Sequence, residues 1–242
     1  MTKDEFILEC RGIFELNALP CSEKQARELF LLTERMLEVN KGLNLTAIKE
    51  EKAIISKHYV DSITIADHIP QNSRIIDVGC GAGFPTLPLA IFRPDLTIVA
   101  LDGTAKRINY VAETAKMLGL SGVTAVSARA EELANTSEYR ERFDIVTARA
   151  VAPLPILCEL CLPFCRVGGT MIAMKSQQAN EELDAAKNCI ELCGGELQNV
   201  VPCDLKSENG DIDARKLIII KKVKKTLQLY PRHYSKISKK PL

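Results

Sequence analysis

IDVGCGAGFPTLPLA, residues 76–90, is the stretch whose reading decides the fold. It reads as a strand ending near Asp77, a turn with glycines at 79, 81 and 83, and an apolar helix behind it. Glycine permits the tight strand-to-helix turn and lets a ligand lie against bare backbone. A dinucleotide fingerprint needs G-x-G-x-x-G, but Phe84 stands at the third position and the last glycine comes one residue early. A P-loop ends in Gly-Lys-Ser/Thr, which is absent here. The turn is therefore not built around a pyrophosphate or a triphosphate. Asp102 closes the next strand, TIVALD (97–102), 23 residues after Gly79, where an acid can accept hydrogen bonds from ribose hydroxyls. Asp77 lies beside the turn, where a carboxylate suits an amino group. A ribose, an ammonium and no phosphate describe S-adenosylmethionine (SAM). The competing reading is a tight turn that holds no ligand.

Working outward, strand-like and helical runs alternate. RIIDV (74–78), TIVALD (97–102), VTAVSA (123–128), FDIVTAR (143–149) and TMIAMK (170–175) read as strands. Helices are expected from the glycine turn to about Phe92, from about Thr104 to Leu118, after the fourth strand to about Cys165, and from about Gln178 to Cys193. ELQNVVP (196–202) and RKLIIIKK (215–222) are strands joined by a polar loop from Ser207 to Asp213. Alternation argues for an α/β fold with a mostly parallel sheet covered by helices. The last two strands have no helix between them and should pair antiparallel. The first seventy residues read as helices: Thr2 with Glu5 and Ser22 with Gln25 have capping-box spacing, and a third helix is expected from about Glu50 to Asp67. Three regions follow: N-terminal helices (1–70), a core (71–223) and a basic tail (224–242), expected to be irregular and solvated.

The chain has 242 residues with 46% apolar and 26% charged side chains, a globular mix that excludes disorder and collagen-like repeats. No apolar run reaches the roughly 18 residues of a membrane helix. MTKDEFILEC has acids where a signal peptide is positive, so a cytoplasmic protein is expected. The formal charge of +1 hides an asymmetry. From Ala214 to Leu242 there are ten Lys or Arg and no acid, leaving 22 basic against 31 acidic residues elsewhere. A basic segment on an acidic body suits a polyanion, although a solubilising tail has the same composition. Nine cysteines read as reduced thiols. Cys158, Cys161 and Cys165, with Cys189 and Cys193, could be taken for a metal set. Their helical spacing among Leu157, Leu160, Leu162 and Phe164 favours small buried hydrophobes, and no metal is expected.

The glycine turn followed by a strand-terminal acid resembles class I SAM-dependent methyltransferases. NLTAI (44–48), HYVDS (58–62), GFPTLPLAI (83–91), LDGTAKR (101–107), ARAVAPL (148–154), MKS (174–176) and YPR (230–232) narrow the match. In that order they resemble the small-subunit rRNA guanine-N7 methyltransferases, the RsmG family, formerly the glucose-inhibited division protein B. The resemblance implies a Rossmann-like fold with seven strands, the last antiparallel. It implies methylation of N7 of guanine 527 in the 530 loop of 16S rRNA, with rRNA, the 30S subunit or an assembly intermediate as partner and a monomeric enzyme. By motif it places Gly79 and Phe84 in the cofactor loop, Ala130 and Glu131 beside the adenine, and Arg149 at the mouth of the site. With Asp77, Gly81 and Asp102 these make the expected cofactor set. Thr86, Gly103 and Ser176 depart from the family's usual Gly, Ser and Gly.

Guanine N7 carries a lone pair and no proton, so transfer of a methyl to it requires no general base. The task is positioning and exclusion of water. The Asn/Asp-Pro-Pro-aromatic motif of amino-group methyltransferases is absent, with Arg-Ala-Val-Ala-Pro (149–153) in its place. Cys203 follows Pro202 on a late strand and reads as structural. Arg149, Lys175, Arg232, Lys236, Lys239 and Lys240 are the candidate RNA contacts. His58 and Asp61 share a helix face at i, i+3, either near the substrate or as a structural pair. Two other functions stay open at this point: a class I methyltransferase for another RNA position or a small molecule, and a non-catalytic RNA-binding assembly factor.

Overall fold

The computed structural model describes residues 1–176, 179–207 and 209–242. Helices α1 (Lys3–Leu16) and α2 (Glu23–Leu43) both open on the expected capping boxes, Thr2 with Glu5 and Ser22 with Gln25. The expected third helix is broken into α3 (Glu51–Ile54), a π-helical stretch Ile55–Val60, α4 (Asp61–Ile63) and a 3-10 turn Ala66–His68. The core then runs β1 (Arg74–Val78), α5 (Thr86–Phe92), β2 (Thr97–Asp102), α6 (Ala105–Met117), β3 (Val123–Ser127), a short α7 (Ala130–Leu133) and β4 (Phe143–Arg149). It continues with α8 (Leu154–Cys161), β5 (Cys165–Ser176), α9 (Ala179–Leu192) and β6 (Gly195–Pro202). The expected start of α9 at Gln178 lies outside the described residues.

The sheet has seven strands in the order β3-β2-β1-β4-β5-β9-β6, where β9 is Arg215–Lys222. β9 runs antiparallel to both of its neighbours and the other pairs are parallel. Chain order reverses between β1 and β4. In open α/β sheets the crevice at the carboxyl ends of such strands is where ligands bind.

Two differences from the expected strands have local causes. β5 starts at Cys165, five residues before Thr170, because Gly168 and Gly169 lie within the strand. Gly168 has φ +82°, and a Cβ on Gly169 would stand 2.7 Å from the Asp144 carbonyl oxygen. The polar loop between the last sheet strands holds a small hairpin, β7 (Leu205–Lys206) with β8 (Ile212–Asp213). Asn17 at the end of α1 pairs with it like a strand, donating to the Lys206 carbonyl (3.0 Å) and accepting from the Lys206 N–H (2.7 Å).

One apolar cluster joins the N-terminal helices to α5 and α6 through Phe6, Phe14, Leu29, Tyr59, Leu87 and Val111. Another lies under α8 and α9 and contains Cys158, Cys161, Cys165, Cys189 and Cys193 among Leu157, Phe164 and Ile190. Burial pushes the Cys158, Cys161 and Cys165 thiols up, so they stay neutral small hydrophobes.

The C-terminal segment differs most from its expectation. It packs on the core and forms α10 (Tyr234–Lys239). Tyr230 and Ile237 are buried. Arg140 donates to the carbonyls of Thr226 (3.0 Å), Leu227 (3.1 Å) and Tyr230 (3.0 Å). Arg232 forks onto the fully buried Glu159 of α8, with Nε–Oε1 at 2.9 Å and Nη2–Oε2 at 2.7 Å, and its own N–H donates to the same carboxylate. Lys222, also fully buried, donates to the carbonyls of Leu162 (2.8 Å) and Cys193 (3.0 Å) and to the Thr226 hydroxyl.

Candidate functional site

The glycine turn sits where the topology places a ligand. The N–H groups of Gly79 and Cys80 donate to the Leu101 carbonyl (2.7 and 3.0 Å), which draws the turn onto the end of β2. Gly79, Gly81 and Gly83 all have positive φ (+74°, +57° and +85°), the region that favours glycine. Gly79 and Gly83 are also packed tightly: a Cβ there would stand 2.6 Å from Val151 and from Leu87. A Cβ on Gly81 would meet only the Gly79 carbonyl oxygen, at 4.0 Å. The Gly81 N–H donates to Asp102 (3.0 Å), whose other oxygen accepts from Thr104 N–H (2.8 Å). Asp102 is thus locked at the end of β2, with each oxygen keeping a free lone pair.

Asp77 is buried beneath the turn. One of its oxygens accepts from the Thr86 hydroxyl at 2.6 Å, and the other has no hydrogen-bond partner among the described residues. Burial raises its pKa to about 7. A buried carboxylate with one orphaned oxygen suits a nearby cationic group. Thr86, one of the departures from the family pattern, thereby holds Asp77 in place.

A cleft of about 730 Å³ opens over the turn, lined by Gly79, Gly81, Phe84, His58, Arg149 and Lys175 among others. Arg149 ends β4 and is held on three sides. It donates to Asp61 (2.7 Å) and to the Lys57 carbonyl (3.1 Å), and its guanidinium lies 5.2 Å from the Phe84 ring centroid. His58 stacks on Phe84 with centroids 4.5 Å apart and reaches the Thr46 hydroxyl at 2.9 Å. Burial, with the nearby Arg149 charge, lowers the His58 pKa to about 4, so the imidazole is neutral at neutral pH. The π-helical stretch carries Lys57 and His58, and such register insertions recur at functional sites. Asp61 also faces Arg215 at 3.6 Å. His58 and Asp61 therefore both face the cleft.

The expected residues divide into groups. Asp77 and Asp102 lie behind the cleft wall, while Gly79, Gly81, Phe84, Arg149 and Lys175 border it. Lys175 is tied to Glu182 (2.6 Å) and to the Ala152 carbonyl (2.7 Å). Ala130 and Glu131 sit on α7 beyond the lined cleft. Arg232, Lys236, Lys239 and Lys240 lie on the C-terminal segment and do not line it. Thr46, Lys57, Arg107 and Arg215 line the cleft although the sequence does not single them out. Thr46 and Arg107 stand inside quoted motifs, whereas Arg215 is hidden at the head of an apolar strand. No group of three or more His, Cys, Asp or Glu is placed to hold a metal among the described residues.

Asp102→Ala is expected to weaken SAM binding by about 1 to 3 kcal/mol, since it removes the expected ribose acceptor and the anchor for Gly81. Calorimetric titration checks this, and an unchanged affinity would place the ribose elsewhere.

Residues 25–210 match the family described as rRNA small subunit methyltransferase G. A protein of Lactobacillus delbrueckii subsp. bulgaricus named ribosomal RNA small subunit methyltransferase G is 38% identical, over 98% of this chain and 99% of its own. A protein of the same name from Clostridium tetani is 44% identical over 85% of each. Among solved structures, the [4+2]-cyclase SpnF has a TM-score of 0.55 at 17% identity, covering 83% of this chain and 97% of its own. M. jannaschii TYW2 in complex with AdoMet has a TM-score of 0.54 at 16% identity, covering 67% of this chain and 75% of its own. At those identities the structures carry the fold alone, and the cyclase shows that the fold serves more than one chemistry. Near full-length identity to named relatives, the residue range of the match and the glycine turn agree: the chain belongs to the rRNA small subunit methyltransferase G family.

Proposed function

We propose that this protein transfers a methyl group from SAM to N7 of guanine 527 in 16S rRNA. The observation that carries the reading is one cleft, floored by the Gly79–Gly83 turn on Asp77 and Asp102, with Arg149 at its mouth. When bound, SAM supplies an electrophilic methyl on a sulfonium. Asp102 would accept from the ribose hydroxyls, Asp77 behind the turn would set a negative charge toward the amino group, and Gly81 would leave bare backbone where the ligand passes. Ala130 and Glu131 would flank the adenine. Arg149, Phe84 and neutral His58 form one packed unit that orients the base. No side chain needs to remove a proton, because N7 presents a lone pair, and for the same reason no metal is needed to activate it. The chain's contribution is alignment and water exclusion.

The substrate is a single-stranded loop of rRNA, in the free molecule, the 30S subunit or an assembly intermediate. Looped RNA is read by stacking and edge contacts. Arg149 and Lys175 stand at the rim, and exposed Lys236, Lys239 and Lys240 offer cations to phosphates. Arg232 is committed to Glu159. The proposed enzyme is a monomer acting in the cytoplasm.

Labelled SAM offered to unmethylated small subunits tests the reading. Tritium should enter 16S rRNA, and chemical cleavage at 7-methylguanosine should fall at position 527. Label at another nucleotide would overturn the assignment.

Asp77 gives a pH prediction. Its folded pKa, about 7, lies above the ordinary 3.8, so the carboxyl holds its proton at mildly acidic pH. A cationic amino group beside it favours the carboxylate, so SAM binding expels that proton. Titrations in buffers of different ionisation enthalpy should show release of close to one proton at about pH 6 and almost none at about pH 8. Asp77→Asn should abolish the difference. Without ligand the same shift makes Asp77 cost stability as pH rises from the ordinary value through the folded one.

A further inference from the structure

Beyond the lined cleft, the C-terminal ends of β2 and β3 meet the C-terminal helix. Ala128 N–H donates to the Asp102 carbonyl at 3.2 Å, so the ends of β2 and β3 are tied together. Arg129 follows, and its side chain turns back across the strand ends. A Cβ built on Gly103 would lie in ordinary van der Waals contact, 3.4 Å, with both Cδ and Nη1 of Arg129, so the arginine side chain lies over Gly103 at the end of β2. The Arg129 Nε reaches Glu131 at 3.4 Å. Its guanidinium carbon lies 4.8 Å from the ring centroid of Tyr234, the first residue of α10. Arg129 thus stands between the ribose acid Asp102 and the pair Ala130–Glu131, in contact with Gly103, Glu131 and Tyr234. Tyr234 does not depend on Arg129 for its own place, because Arg232 two residues earlier is anchored on Glu159.

We propose that Arg129, held from outside by Tyr234, positions the adenine ring of the cofactor. A planar guanidinium stacks on aromatic faces, and a purine presents such a face. A ring on its outer side fixes the plane of the cation, so the adenine meets a wall already in position. The inference rests on the SAM reading above, and it makes the C-terminal helix part of the cofactor site although the helix does not line the cleft.

The test measures SAM and adenosine affinities by calorimetry for the parent chain, Tyr234→Phe, Tyr234→Ala and Arg129→Ala, with melting temperatures alongside. Tyr234→Ala should weaken both ligands by the same factor, about three- to fivefold. Tyr234→Phe should bind as the parent, because the ring face remains. In turnover, Tyr234→Ala should raise KM for SAM and keep kcat, and Arg129→Ala should weaken both ligands at least as much. Equal affinities for Tyr234→Ala and parent, or a phenylalanine variant no better than the alanine one, would overturn the proposal. So would a loss for SAM that adenosine does not share. Absence of SAM binding by the parent would instead remove the methyltransferase reading itself, and this inference with it.

Discussion

Arg232→Ala is expected to lower the stability of the fold by about 3 to 5 kcal/mol, the cost of leaving a buried charge without its partner. Glu159 is fully buried on α8, and three of the hydrogen bonds it accepts come from Arg232. Replacing both residues, with Glu159→Leu beside Arg232→Ala, should cost less than the arginine change alone, because no charge is then stranded. Urea denaturation of the two variants and the parent decides it. A single variant within about 1 kcal/mol of the parent would show that the carboxylate finds water, as exposed ion pairs do. A chain ending at Val223 should fare worse than Arg232→Ala. It also loses Thr226, which takes a bond from buried Lys222 and gives one to the Cys193 carbonyl.

Gly81→Val should abolish SAM binding while the protein stays folded. The two halves of that expectation have separate causes. The position has φ +57°, where a β-branched residue is strained by roughly 1 to 2 kcal/mol, a cost the fold can bear. The nearest protein atom to a Cβ there is the Gly79 carbonyl oxygen at 4.0 Å, an ordinary contact, so the fold tolerates the added atom on the cleft side of the turn, where the proposed ligand lies. Gly79→Val and Gly83→Val are different cases, since each drives a side chain into Val151 or Leu87 and should unfold the turn. Circular dichroism with calorimetry separates the outcomes. SAM affinity retained in Gly81→Val would move the cofactor off this turn.

What the sequence made legible follows the range of the interactions. Strands β1, β2, β4 and β9 begin and end where their apolar runs do, because each is bounded by glycine, proline or charge close in sequence. The glycine turn and Asp102 were legible for the same reason: a strand, three glycines and a spaced acid are a local pattern. The π-helical stretch left no mark, since a shift of hydrogen-bond register changes no composition. The hairpin at Leu205–Lys206 and Ile212–Asp213 was hidden because two-residue strands have no period. The docked tail was hidden most completely. Its lysines read as a solvated appendage, and Glu159 stands in an apolar helical run with nothing nearby to say that Arg232 would reach it. Arg215 shows the same limit at the cleft, where its partner Asp61 lies on the other side of the chain.

The Glu159–Arg232 pair also has a direction in time. The two residues are 73 positions apart, and the arginine is made second. At about 5 to 20 residues per second, α8 exists for roughly 4 to 15 seconds before its counter-charge is synthesised. Until then the helix cannot be buried with an ionised carboxylate except at the cost of an unpaired charge. β9, which joins β5 to β6 in the sheet, is made just before Arg232, so the sheet is completed and α8 sealed at the same late stage. A nascent chain that has not yet reached Arg232 carries the Glu159 carboxylate without its counter-charge.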